Sequence, residues 1–384
     1  MNYFRPLQYL AAAFGVGLTF ALASCGGGGG SSSGASTAPG YAVKNLVSNS
    51  TSVTAANTDS NLVNPWGIVF NPQGFVWVAN NGTSTSTLYD GNGVMQQPLV
   101  AIPSGKAGAA APTGIVMNQS TDFSISVGAL SGVSVFIFAG EAGTISAWSP
   151  SVAMNDAVTA YDDGSGGAVY KGLAIAQNST GANFLYAADF HGAKVDVFDA
   201  TFKKVTASGG FVDASVPAGY APFGIQNIPT SAGNAQIYIA YAKQGNTAGI
   251  EAAGAGLGAL AVFDADGNLV KHLVTGGALN APWGIALAPA NFGPFSGDLL
   301  IGNLGDGTIN AFSATTGAMQ GTLTQASGQA VQIGGLWGIA FGNGLNSQPV
   351  NTLFFAAGPN GYADGVYGRI DYSTSSSTMN APGY

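Results

Sequence analysis

The amino-acid sequence predicts an all-β body, a ring of six four-stranded blades, and three observations carry that expectation. A short phrase, a glycine followed by Ile or Leu and usually preceded by an aromatic residue, recurs six times along the chain. The composition is rich in glycine and apolar residues, with 59 Gly, 46% apolar and only 7% charged residues, which suits a turn-rich β protein rather than a disordered chain. No ten-residue stretch after Cys25 repeats apolar residues at the helical period, and glycine recurs too often for a stable helix.

The six phrases are Pro65-Trp66-Gly67-Ile68, Pro112-Thr113-Gly114-Ile115, Tyr170-Lys171-Gly172-Leu173, Pro222-Phe223-Gly224-Ile225, Pro282-Trp283-Gly284-Ile285 and Leu336-Trp337-Gly338-Ile339. Gly67 to Gly338 spans 271 residues in five intervals, about 54 per unit, the size of a four-stranded propeller blade with some long loops. Each phrase opens a first strand. A second strand follows in Val76 to Asn80, Phe136 to Ala139, Leu185 to Asp189, Ile237 to Ala240, Leu299 to Asn303 and Leu353 to Ala356. Third strands alternate apolar and polar residues, as in Gly143 to Trp148, Lys194 to Phe198, Gly307 to Phe312 and Gly368 to Tyr372. Turn sequences such as Asp90-Gly91-Asn92-Gly93 and Asp264-Ala265-Asp266-Gly267-Asn268 lead to fourth strands. The last unit has no fourth strand of its own. Val43 to Ser48 supplies it, closing the ring and covering an otherwise open sheet edge.

Ahead of the ring, Leu10 to Leu22 is a 13-residue apolar run behind Arg5, too short for a membrane span and suited to a secretory signal. It ends in Leu22-Ala23-Ser24-Cys25, which resembles a bacterial lipobox, and Cys25 is the only cysteine. The resemblance implies lipidation at Cys25 and a protein held at the cell envelope. Gly26 follows where an Asp would signal retention at the inner membrane, so the outer membrane is the expected address. Residues 25–40 then read as the acylated cysteine and a Gly/Ser tether reaching about 20 Å, residues 1–24 as the signal, 41–372 as the propeller and 373–384 as a disordered tail. One cysteine excludes internal disulfides and thiolate metal clusters.

After residue 25, nine Lys/Arg face eighteen Asp/Glu, and no basic stripe exists for a nucleic-acid partner. No Walker, G-x-S-x-G, H-E-x-x-H or haem-attachment motif appears. Asn64-Pro65-Trp66-Gly67 and the second-strand phrases resemble a bacterial family of secreted six-bladed propellers, similar in style to NHL-repeat proteins. That resemblance spans residues 41 to 372 and implies a fold without an activity.

In a meander, loops into first strands and loops from second to third strands emerge on one face. Asp59, Asn64, Asn81, Glu141, Lys171, Asp189, His191, Glu251, Asp306 and Asp364 belong there. Three constellations follow. Trp66, Phe223, Trp283 and Trp337 either fill wedges between blades or form platforms for a sugar or other neutral ligand. Asp189 and His191 are the acid–base candidate, since a carboxylate beside an imidazole raises its basicity. Asn80, Asp189, Asn303 and Asp306 recur at matching positions and offer oxygen ligands to a cation such as Ca²⁺. The architecture resembles the lactonase-like propellers, gluconolactonase and regucalcin, which hold a divalent cation. No equivalent of their glutamate-bearing inner strand is evident here. The longest insertion, about Tyr241 to Leu260, reads as a slack surface loop or a lid.

The resulting expectation is a monomeric, lipid-anchored, non-catalytic module binding a glycan, peptide or protein at one loop face. The alternative is a metal-dependent, lactonase-like hydrolase or lyase at the channel mouth.

Overall fold

A computed structural model describes residues 38–374, and within them the chain forms six blades around a common axis. The six phrases begin the six inner strands: Pro65–Phe70, Pro112–Met117, Tyr170–Gln177, Tyr220–Asn227, Pro282–Leu287 and Leu336–Phe341. The second strands are Val76–Asn80, Phe136–Gly140, Asn183–Asp189, Gln236–Gln244, Leu299–Asn303 and Leu353–Ala357. In blades one to five, two further strands complete an antiparallel sheet of sequential order. Blade six takes its fourth strand from the start of the body: Gly40–Ser48 pairs antiparallel with Val366–Ser373, Val43 opposite Ile370 and Lys44 opposite Arg369. This is the closure expected from the sequence, lengthened by three residues at its start. The signal, Cys25 and most of the tether lie outside the described residues, as does the tail beyond Thr374.

The glycine of each phrase exists because neighbouring inner strands touch near the axis. A Cβ on Gly67 would sit 2.6 Å from the Thr113 carbonyl oxygen, and one on Gly284 at the same distance from the Trp337 carbonyl. The contact runs round the whole ring, ending with Gly338 against the Trp66 carbonyl. Ladder register also slips at the phrase in all six blades, for instance between Pro65 and Ile68 and between Pro282 and Gly284. Such bulges re-aim side chains. Here they gather the residue before glycine into a cluster instead of leaving it in the ladder.

Between blades, the core consists of the aliphatic and aromatic faces of the second and third strands. Trp77 stacks on Phe136 at 4.0 Å and tilts against Trp148 at 4.8 Å between blades one and two. Tyr89 stacks on Tyr367 at 5.3 Å between blades one and six. The wedges are thus filled by second- and third-strand aromatics. Two departures from the sequence reading stand out. A separate hairpin, Ser124–Val127 with Leu130–Val133, is inserted after the inner strand of blade two. The blade-four insertion is not slack: Glu251–Ala252 folds back and pairs with Lys243 and Gln244.

Candidate functional site

The ring has two dissimilar ends. At the end where inner strands begin, the channel is stoppered by aromatic rings. Trp66 and Trp337 stack at 3.4 Å, and Trp283 meets each of them edge-on at about 6 Å. Phe223 packs 5.9 Å from Trp337 and 5.1 Å from Phe190. Trp66, Phe223, Trp283 and Trp337 are 3%, 0%, 9% and 1% exposed, so they form a plug. They do not present the open faces that stacking on a sugar needs.

A hydrogen-bonded chain crosses above the plug. Trp337 Nε1 donates to Asn64 Oδ1 (3.0 Å), Asn64 Nδ2 to Asn81 Oδ1 (3.2 Å) and Asn81 Nδ2 to Glu141 Oε2 (2.9 Å). Lys171 Nζ donates to Glu141 Oε1 at 2.6 Å and lies 3.9 Å from Glu251 Oε2. The lysine side chain is 2% exposed, and its ammonium lies 5.0 Å from the Trp66 ring centroid, a cation–π contact. Burial pushes the Glu251 carboxyl above the usual carboxylate range, with Lys171 only partly offsetting it. Trp283 Nε1 donates to the Lys171 carbonyl at 2.8 Å, which ties blade five into the same network. The fold-back of the blade-four insertion is what brings Glu251 to Lys171.

The acid–base candidates sit apart in function. Asp189 Oδ1 accepts the amides of Val169 (3.1 Å) and Gly192 (3.0 Å), and Oδ2 faces Lys194 at 3.5 Å. These contacts fasten a turn. No hydrogen bond joins Asp189 to the exposed His191 among the described residues. His272, on the outer strand of blade four, instead has the carboxylate, its Nδ1 2.6 Å from Oδ2 of Asp213 in the preceding loop.

The four oxygen-bearing residues at matching positions do not converge on one point. Asn80 Nδ2 donates to Thr85 and Thr87 hydroxyls within blade one. Asn303 accepts the Asn280 amide and donates to the Ala278 carbonyl, while Asp306 accepts from Thr308 and Asn280, all within blade five's loops. With Asp189 in blade three, each set serves its own blade. Among the described residues no group of three His, Cys, Asp or Glu side chains is disposed around a common metal position.

The opposite end is open. A funnel of about 620 Å³ is lined by the ends of all six inner strands. Its wall is the aliphatic residue of each phrase, Ile68, Ile115, Leu173, Ile285 and Ile339, with Ile225 in the narrow throat of about 30 Å³ that ends at Trp283. Among the described residues no charged side chain lines the funnel. Its two halves differ. Blades five, six and one contribute only apolar residues, including Phe70, Leu287 and Phe341, whereas blades two to four add Asn118, Gln119, Ser120, Gln177, Asn183, Gln226 and Asn227. Asn227 Nδ2 donates to the Ile175 carbonyl at 3.0 Å, but its buried Oδ1 has no partner. The volume lies in the range of small-ligand sites, and the mix of apolar wall with a few amides is their usual chemistry. Sequence reasoning missed this end because its residues are aliphatic and amide side chains just beyond the phrases, none of which signals chemistry.

Comparison with known proteins is consistent with this architecture. No protein-family model matches the chain. It is 34% identical over 343 residues to "Uncharacterized protein R648" of Acanthamoeba polyphaga mimivirus, covering 86% of this chain and 80% of that one. It is 33% identical over 343 residues to "Uncharacterized protein L690" of the same virus, covering 86% and 85%. These relatives are viral, whereas the motif resemblance pointed to a bacterial family. Among solved structures, a protein of unknown function from Bacteroides thetaiotaomicron matches with TM-score 0.52 at 12% identity, over 87% of this chain and 76% of that one. A glucose dehydrogenase matches with TM-score 0.50 at 13% identity, over 87% and 100%. At such identity the likeness speaks to the fold alone. The mimivirus similarity goes further: the chain belongs to the same family as R648 and L690, built on a six-bladed propeller.

Proposed function

We propose that this protein is a lipid-anchored binding module, acylated at Cys25, that captures its ligand in the open funnel rather than performing chemistry there. The observation that carries the reading is the funnel's lining, which is concave, aliphatic on one side and amide-bearing on the other, and among the described residues free of any charged side chain. General acid–base or metal-assisted catalysis needs titratable groups or ligating oxygens at the reacting atoms, and among the described residues no carboxylate lines the funnel; Asp122 stands behind it, accepting from Asn183. The amides of blades two to four orient a ligand, and the aliphatic half supplies affinity at roughly 25 cal/mol per Å² of apolar surface buried.

Nile red, a neutral apolar fluorophore, tests the site. It should brighten and shift to the blue on the full-length protein. Ile285→Trp, which fills the funnel below the throat, should weaken its binding at least tenfold. Equal binding to a folded Ile285→Trp variant would place the dye elsewhere and end the funnel reading. The anchor is tested separately, by incorporation of labelled fatty acid into the wild type and its loss in Cys25→Ser.

A further inference from the structure

The face around the funnel differs in character from the plug end. Its loops and turns carry Asp90, Asp122, Asp156, Asp199, Asp264, Asp266 and Asp298 against one base, Lys203, so seven acids less one base give a net charge of −6. All seven are exposed or half-exposed. The plug end is acidic as well, but its acids lie among bases or are held by hydrogen bonds: Lys171 and Lys194 pair with Glu141 and Asp189, while Asp59, Asp306 and Asp364 accept from Tyr89, Thr308 and Asn360. Of the sixteen exposed large apolar side chains among the described residues, twelve lie in loops or at strand ends of the funnel face. Val127, Leu130 and Val133 on the inserted hairpin are 50%, 56% and 37% exposed, and Met154 in the next loop of that blade is 55% exposed. The hairpin rests on that loop, with Gly132 against Ser149 and Ser151. Asp122 joins rim to funnel, since Asn183 of the lining donates to its Oδ2 at 2.8 Å.

We infer that this face docks a cationic amphipathic segment of a partner protein, its apolar side chains entering the funnel and its Lys or Arg residues meeting the ring of aspartates. This rests on the funnel being the binding site and names what fills it. Charge complementarity selects the occupant. A second copy of the same face would set −6 against −6, and an anionic lipid surface would be repelled in the same way. A small neutral ligand would leave the aspartates and the exposed hairpin uncovered. The exposed amides of Gln119, Gln177 and Gln226 give the segment's backbone and side-chain N–H groups acceptors. An acidic rim also steers a basic partner from a distance of about 10 Å at 0.1 M salt.

The experiment uses the full chain carrying Cys25→Ser and two labelled 18-residue amphipathic peptides, one of Leu and Lys, the other of Leu and Glu, with phosphatidylcholine vesicles as a third probe. The Leu/Lys peptide should bind at least tenfold more tightly than Leu/Glu and weaken several-fold between 20 and 300 mM salt. Asp122→Asn with Asp199→Asn should reduce the salt dependence. Leu287→Arg, at a rim position 42% exposed and so harmless to folding, should cut Leu/Lys binding severalfold. Three outcomes overturn the inference: equal binding of both peptides, Leu/Lys binding indifferent to Leu287→Arg and to Ile285→Trp, or vesicle binding without peptide binding. If any of these appears while Nile red still enters the wild-type funnel and is excluded by Ile285→Trp, the funnel reading survives and only its occupant is wrong. If Nile red fails as well, both fall.

Discussion

At the scale of single residues, the costliest side chain in the ring is Lys171. It replaces the aromatic residue of the phrase in blade three, and its 2% exposure is tolerated only because Glu141, Glu251 and the Trp66 face surround it. Lys171→Met would leave two carboxylates facing one another without a cation, at a cost of about 3 kcal/mol, read as a lowered denaturation midpoint with unchanged slope. Glu251 gives a pH signature of its own. Its carboxyl is raised above 4.5 in the fold, so the native state holds that proton more tightly than the unfolded chain does. This contribution favours the fold at low pH and is lost as pH rises from about 4.5 through the raised value. Glu251→Gln should therefore flatten the fall in melting temperature over that window, measured from pH 4 to 8, and a variant that tracks the wild type across it would show that Glu251 does not titrate there. The sequence placed Glu141, Lys171 and Glu251 on one face by strand direction alone. Their pairing was not legible, because the three come from blades two, three and four and no spacing relates them.

The elements were legible to the extent that their side chains alternate. Inner and second strands were readable because the glycine phrase and the apolar second-strand runs recur in every blade. The bulge at each phrase left no trace in the pattern, and it decides where Trp66, Phe223, Trp283 and Trp337 point: into a shared plug, not into wedges or toward solvent. The hairpin Ser124–Val133 escaped because only Ile125 faces the core while Val127, Leu130 and Val133 face outward, contrary to the usual reading of alternation. Element by element, the closing strand Gly40–Ser48 is the most exposed to a single change. Leu46 is 1% exposed in the cluster with Val78, Phe354 and Tyr367. Leu46→Asp buries an unpaired charge against blade one and should cost more than 3 kcal/mol. Limited proteolysis should then cut first near residues 49–56. Cleavage confined to the blade-four insertion would mean that strand closure is not the weak point.

Across the whole molecule, the ring has no end: each phrase glycine rests on the next blade's backbone, and the chain from Trp337 to Glu251 links blades six, one, two, three and four, with Trp283 adding blade five. In an open repeat array, each unit leans only on its neighbours and an end can melt first. Here the fourth strand of blade six is also the first strand of the body, so loosening blade six frees the first and last strands of the ring together. Trp337→Ala removes a 1% exposed ring from the centre of the plug and should cost about 3–5 kcal/mol. In a domain of this size that corresponds to a fall of roughly 4–7 °C in melting temperature. The shape of the transition is the stronger test. Calorimetry should show one endotherm moved as a unit, with near-ultraviolet circular dichroism and tryptophan fluorescence melting together. A new low-temperature step, with blade-six signals lost ahead of the rest, would mean that the plug holds single blades in place and that ring closure contributes little to cooperativity.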